Sequence, residues 1–137
     1  MDTKRQNIVN ALETLFSSVS ALKAVTVWQH LPELVGDLPA GTFRDQNAAA
    51  KQVAGGITEH TLEVAFDFSA AGDTPTDSIR SIAGDVLAAF SGDRLLGGLL
   101  TAASMTGFDL GFESANLKLC IGSLKFQLTY ETDNWTI

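Results

Sequence analysis

The chain has 137 residues, 45% of them hydrophobic and 18% charged, with a formal net charge of −7 and a pI near 4.6. That is one globular domain, long enough to bury roughly two-thirds of the surface of its unfolded chain. The balance excludes wholesale disorder, and nine scattered Lys and Arg exclude a basic patch able to grip nucleic acid. The single cysteine, Cys120, excludes an internal disulfide and a thiolate metal cluster; within LKLCIGSL it reads as a small buried hydrophobe. With no signal-peptide core and no apolar run near 18 residues, the expectation is a cytoplasmically made protein without a membrane partner.

Asp2 or Thr3 is placed to cap a first helix running from Lys4 to about Leu22, whose apolar face comprises Ile8, Ala11, Leu12, Leu15, Phe16 and Val19. The pattern loosens at Ser17, Ser18 and Ser20. Ala24–His30 (AVTVWQH) reads as a short strand, closed by Leu31-Pro32. Pro32, Gly36, Pro39 and Gly41 punctuate a connection, and Thr42–Asp45 reads as a second short strand. The following stretch, small, polar and ending in Gly55-Gly56, has no core periodicity. It is expected to be an exposed mobile loop over about 45–58, whose deletion would spare the fold.

Glu59–Ser69 alternates without error, with Leu62, Val64, Phe66 and Phe68 on one side. Asp77 is the expected N-cap of a helix to Phe90, in which Ile79, Ile82, Ala83, Val86, Leu87 and Phe90 form one stripe; Gly92 is the expected left-handed stop. DRLLGGLL reads as a helical turn weakened by its glycines. Strand returns around Ala103, Met105 and Phe108 and continues from Asp109 to Glu113, with a turn at Ser114-Ala115-Asn116. Leu117–Glu131 is strand again, with a bulge expected at Gly122. Its second half, SLKFQLTYE, is the most regular alternation in the chain and is expected to pair with Glu59–Ser69. The tail 132–137, carrying Trp135, is expected to be loose unless docked. These elements predict an α+β domain with a mixed, mostly antiparallel sheet of four to five strands and two main helices on one face.

Chemistry is sparse. His30 and His60 are lone and outside metal-ligand spacing. Ser20 and Lys23 form an SxxK without its companion motifs. The glycine pairs Gly55-Gly56 and Gly97-Gly98 are not phosphate loops. An enzyme would need His60 to meet Asp109 or Glu113 in a pocket. No catalytic residues, metal ligands or cofactor are assigned, which points to a binding or assembly protein.

The order of the pieces resembles the tail terminator (tail completion) proteins of long-tailed, lambda-like bacteriophages. The likeness rests on the N-terminal helix and short strand, the Asp37-Leu38-Pro39 approach, LEVAFDF before the helix at Asp77, LLGGLLTAASMTGFDLGFES and the closing LKFQLTYET. It covers nearly the whole chain apart from Ala48–Gly56. It implies a structural virion protein at the head-proximal end of the tail, assembled in the host cytoplasm. There it caps the tail tube as a homohexameric ring, ends tube polymerisation and forms the surface that joins the head. Partners implied are copies of itself, the tail tube protein and a head–tail connector or neck protein, with DNA passing through the lumen unbound. A ring of six would carry a formal charge of about −42, without cations to displace counterions from phosphate. On this reading Arg44, Asp45, Lys51, Gln52 and Trp135 are the expected subunit or tube contacts. The alternatives are another phage neck component or a small non-enzymatic adaptor domain.

Overall fold

The computed structural model describes residues 3–32, 35–114 and 118–137, with backbone alone at 35, 47 and 112–114. Helix α1 (Lys4–Ser17) is followed by strand β1 (Val25–Val27) and the long strands β2 (Ala40–Val53) and β3 (Ile57–Ala71). Helix α2 (Pro75–Gly92) comes next, then strands β4 (Ala102–Ser114) and β5 (Leu119–Asp133). The strands form one sheet in the order β1-β2-β3-β5-β4, with β1 parallel to β2 and every other pairing antiparallel. This is the α+β class that the alternation and the two amphipathic stripes predict.

The closing strand pairs with β3 along its full length, from Ile57 opposite Asp133 to Ala71 opposite Leu119, in unbroken register. That register places Leu62, Val64, Phe66 and Phe68 on the same face as Leu128, Phe126, Leu124 and Gly122. Both helices lie on this face. Phe16 of α1 stacks on Phe66 with ring centroids 4.3 Å apart and meets Phe43 edge-on at 5.3 Å. Phe90 of α2 stacks on Phe126 at 4.9 Å. Ile8, Leu12, Ile79, Ile82 and Val86 complete the core.

Helix α1 starts where Thr3 accepts a hydrogen bond from the Gln6 amide at 3.0 Å. Asp2, the other expected cap, lies outside the described residues. The helix stops at Ser17, five residues before the expected end, at the cluster of serines whose hydroxyls compete for backbone carbonyls; Ser18 Oγ donates to the Leu15 carbonyl. Val19 and Leu22 still bury their side chains, but in tight turns. Strand β1 is shorter than AVTVWQH predicts because Trp28 sits at φ 57°, outside extended geometry.

The exposed mobile loop expected at about 45–58 is not a loop. Residues 45–53 continue β2, residues 54–56 turn, and β3 begins at Ile57. Its polar and alanine-rich composition hides a strand because this part of the hairpin projects past the helices, leaving Ala48–Gln52 exposed with no core to demand large side chains. Deleting it would therefore remove much of a strand rather than a linker. Between Asp45 and Ala48 one extra residue enters β2, a bulge that resets which residues face the helices.

Three further expectations are corrected. Helix α2 begins at Pro75, whose ring pre-sets the first helical φ, with Thr74 before it; Asp77 lies in the first turn and pairs with Arg80 at 3.3 Å rather than capping. Gly92 is the last residue of α2, and the left-handed positions come later, at Leu96, Gly97 and Gly98 in the short 3-10 turn. Gly122 is in register with both Phe68 and Leu110, so it marks no bulge. A Cβ there would lie 2.7 Å from Ile79 Cγ2 and 3.0 Å from the Phe68 ring, so this glycine lets α2 approach the sheet. The bulges of β4 fall instead between Met105 and Gly107 and between Phe112 and Ser114. The expected turn at Ser114-Ala115-Asn116 lies mostly outside the described residues.

Candidate functional site

The five residues singled out by sequence fall into four places. Asp45, on the helix-bearing face, is a junction: its carboxylate takes Arg5 Nε at 2.9 Å and Trp28 Nε1 at 2.7 Å, while the Arg5 guanidinium also reaches the Asp45 carbonyl at 3.2 Å. It ties α1 and the end of β1 to the sheet. Arg44, on the opposite face, pairs with Asp67 at 3.0 Å, and its Nε is buried without a hydrogen-bond partner. With His30, Leu31 and Thr42 it lines a polar hollow of about 280 Å³. Both residues, expected as subunit or tube contacts, have ion-pair partners within their own chain.

Asp45→Ala removes two hydrogen bonds to a charged group and leaves Arg5 without its carboxylate, with the backbone carbonyl of residue 45 as its remaining acceptor there. It should lower stability by about 2 kcal/mol and shift Trp28 emission to the red. Urea unfolding followed by tryptophan fluorescence measures both, and an unchanged midpoint would show the junction to be energetically idle.

Lys51 and Gln52 lie on the projecting hairpin, on opposite faces, opposite Glu59 and Thr58 respectively. Gln52 shares an open hollow of about 380 Å³ with Ala50, Thr58, His60, Trp135 and Ile137. The structure therefore brings Gln52 and Trp135 together and leaves Lys51 on the far side of the strand.

Trp135 is 93% exposed. The tail that carries it is docked, not loose. Thr132 and Asp133 belong to β5, the Asn134 amide donates to the Gly56 carbonyl at 3.0 Å, and Thr58 Oγ1 donates to Asn134 Oδ1 at 2.8 Å. Thr132 Oγ1 donates to the Thr136 carbonyl at 3.2 Å and lies 2.8 Å from His60 Nε2. The hydroxyl has one proton, so His60 Nε2 carries its own and donates. The His60 ring is buried and stacked on Tyr130 at 4.7 Å. The histidine supports the turn and the tyrosine fills the core below it, where burial pushes the phenol above its ordinary pKa.

Among the described residues no catalytic constellation forms around His60. It pairs with Tyr130 and Asp109 pairs with Ser123, about 23 Å apart along β5 at the rise of a strand. The side chain of Glu113 lies outside the described residues. Asp109 instead meets Lys125 at 3.5 Å. Cys120 is fully buried, its thiol donating to the Gly111 carbonyl at 3.1 Å, and burial raises its pKa. Among the described residues no three His, Cys, Asp or Glu side chains gather as a metal-ligand set, and no helix is long and apolar enough to cross a membrane.

One feature was not legible in the sequence as a site. Met105, Phe108 and Leu110 of β4 face the helix side but remain 50%, 38% and 38% exposed, because β4 is the edge strand and α2 does not reach over it. Alternation alone assigns them to the core. Between Met105 and α2 runs a groove of about 160 Å³ lined by Leu87, Phe90, Arg94, Met105 and Phe126.

No family model and no curated protein matches the chain. Among solved structures, one similar chain belongs to the virion of a native gene transfer agent particle. It is 9% identical, with 95% of this chain and 92% of that chain covered and a TM-score of 0.49. A likeness of this degree says nothing of what either chain does.

Proposed function

We propose that this chain is a structural virion protein of a long-tailed, phage-like particle, which caps the tail tube as a hexameric ring and presents the surface that joins the head. The resemblance over nearly the whole sequence supplies the role. The structural observation that carries it is the way polar and apolar groups are left over. A long edge strand carries Met105, Phe108 and Leu110 half in water, and Trp135 projects from a hydrogen-bonded turn at the far end of the sheet. Patches of this kind are what assembly covers.

The acidic balance agrees with a passage for DNA that does not hold it, since a −7 chain offers phosphate few partners. The polar face of the sheet, with Arg44–Asp67 and Lys125–Asp109 paired across it, suits a surface left in contact with water.

Light scattering of the purified protein, alone and with tail tubes, tests the role. A ring in solution, or a monomer that becomes a ring on tubes and stops their growth, is the expected result. A monomer that neither binds tubes nor alters their length would overturn it.

A further inference from the structure

The geometry points to a head-to-tail contact between copies of this chain, in which Trp135 of one copy enters the groove between α2 and β4 of the next. This inference rests on the assembly reading above and names the self-contact within it.

The first observation is that Trp135 is held out from the body. Its backbone is left-handed, at φ 67°, a conformation that a bulky residue keeps only where its surroundings hold it. The hydrogen bonds from Asn134 to Gly56, from Thr58 to Asn134 and from Thr132 to Thr136 fix the turn on either side of the indole. A side chain that buries about 150–250 Å² when it leaves water is thus left at 93% exposure on a braced support.

The second observation is the groove itself, with walls from Leu87, Phe90, Met105 and Phe126 and a rim cation, Arg94. Among the described residues Arg94 has no ion pair, and it stands exposed.

Charge selects the occupant. Trp135 is flanked by exposed Asp133, so an indole with a neighbouring carboxylate meets an apolar slot with a guanidinium at its lip. Arg94 can pair with the carboxylate and lie against the ring. The same chain cannot make this contact. Asp133 lies seven positions beyond Phe126 on β5, about 23 Å at the rise of a strand, and the turn is tied to the β2–β3 hairpin. Two different patches in contact make a heterologous interface, which closes as a ring or runs on as a filament. One Trp is the anchor of such an interface, not all of it, and the flanking edge of β4 extends the contact.

Sedimentation velocity tests the proposal with the full chain and two surface variants, Trp135→Ala and Met105→Glu. Circular dichroism should show both folded, since each side chain is at least half exposed. The wild type should self-associate with concentration. Each variant alone should do so at least about tenfold more weakly, the usual scale for loss of an anchor. Mixed one to one, the variants should form a dimer and stop there, because Met105→Glu keeps the Trp, Trp135→Ala keeps the groove, and only one good contact remains.

Self-association of Trp135→Ala equal to wild type would overturn the contact and leave the assembly reading standing. So would a wild type that stays monomeric at about 1 mM yet forms rings on tubes whether or not Trp135 is present. Failure of the wild type to form rings even on tubes would overturn both.

Discussion

Phe16→Ala should lower the unfolding free energy by about 3–5 kcal/mol, the cost of emptying a buried phenylalanine site. Phe16 is fully buried and joins three elements, stacking on Phe66 of β3, meeting Phe43 of β2 edge-on and lying 6.2 Å from Phe126 of β5. Few neighbours can collapse into its space, because the Phe66 ring is already wedged against Gly41, where even a Cβ would collide with it. A domain of this size has about 5–15 kcal/mol in total, so the variant should be partly unfolded at moderate temperature. Equilibrium denaturation gives the loss directly. A loss below about 1 kcal/mol would mean that α1 docks through its other residues and that the stack is incidental.

Gly122→Val is the second large effect, and it acts by addition. The new Cβ would meet Ile79 Cγ2 at 2.7 Å and Phe68 ring atoms at 3.0 and 3.1 Å. One obstacle belongs to α2 and the other to a ring in the middle of the sheet, so relief requires the helix to lift or the ring to leave its rotamer. Overpacking of this kind costs about 1–3 kcal/mol, occasionally more. The diagnostic is a double variant. Gly122→Ala with Ile79→Ala should be more stable than the sum of the two single losses predicts, because the second change opens room for the first. Strict additivity of the two would show that the glycine is there for some reason other than helix approach.

The fold was legible wherever one face of an element is buried and the other wet. Glu59–Ser69, SLKFQLTYE and the stripe from Ile79 to Phe90 carry their periods openly, and each became the element predicted. Ala48–Gln52 failed for the opposite reason. Paired on one edge but covered on neither side, that segment carries no hydrophobic period, and its strand character comes from its partner Ile57–Leu62.

Glycines misled in two directions. Gly122 reads as a local irregularity and is a long-range contact, while the bulge beside Gly107 reads as ordinary strand. The candidate site was legible only at Trp135, where an aromatic residue lies beyond the last alternating segment. Met105, Phe108 and Leu110 were hidden because an edge strand and a central strand have the same alternation. Only strand order tells them apart, and it is set by pairings between residues distant in the chain. Arg44 and Asp45 show the converse, since two adjacent residues expected together as subunit or tube contacts lie on opposite faces, each with its own partner.

The extra residue between Asp45 and Ala48 has a consequence for how separately the two halves of β2 can vary. Below the bulge, Phe43 and Asp45 lie on the helix-bearing face of the sheet; above it, Ala48, Ala50 and Gln52 do, so odd positions give way to even ones. The lower half is constrained by Phe16 and Arg5. Among the described residues the upper half is held by its pairing with β3 and by the turn that holds Trp135. Composition can therefore drift in the upper half, toward whatever a neighbouring molecule requires, without a compensating change beneath the helices. The bulge works as a change of phase that insulates the foundation of the sheet from its display end.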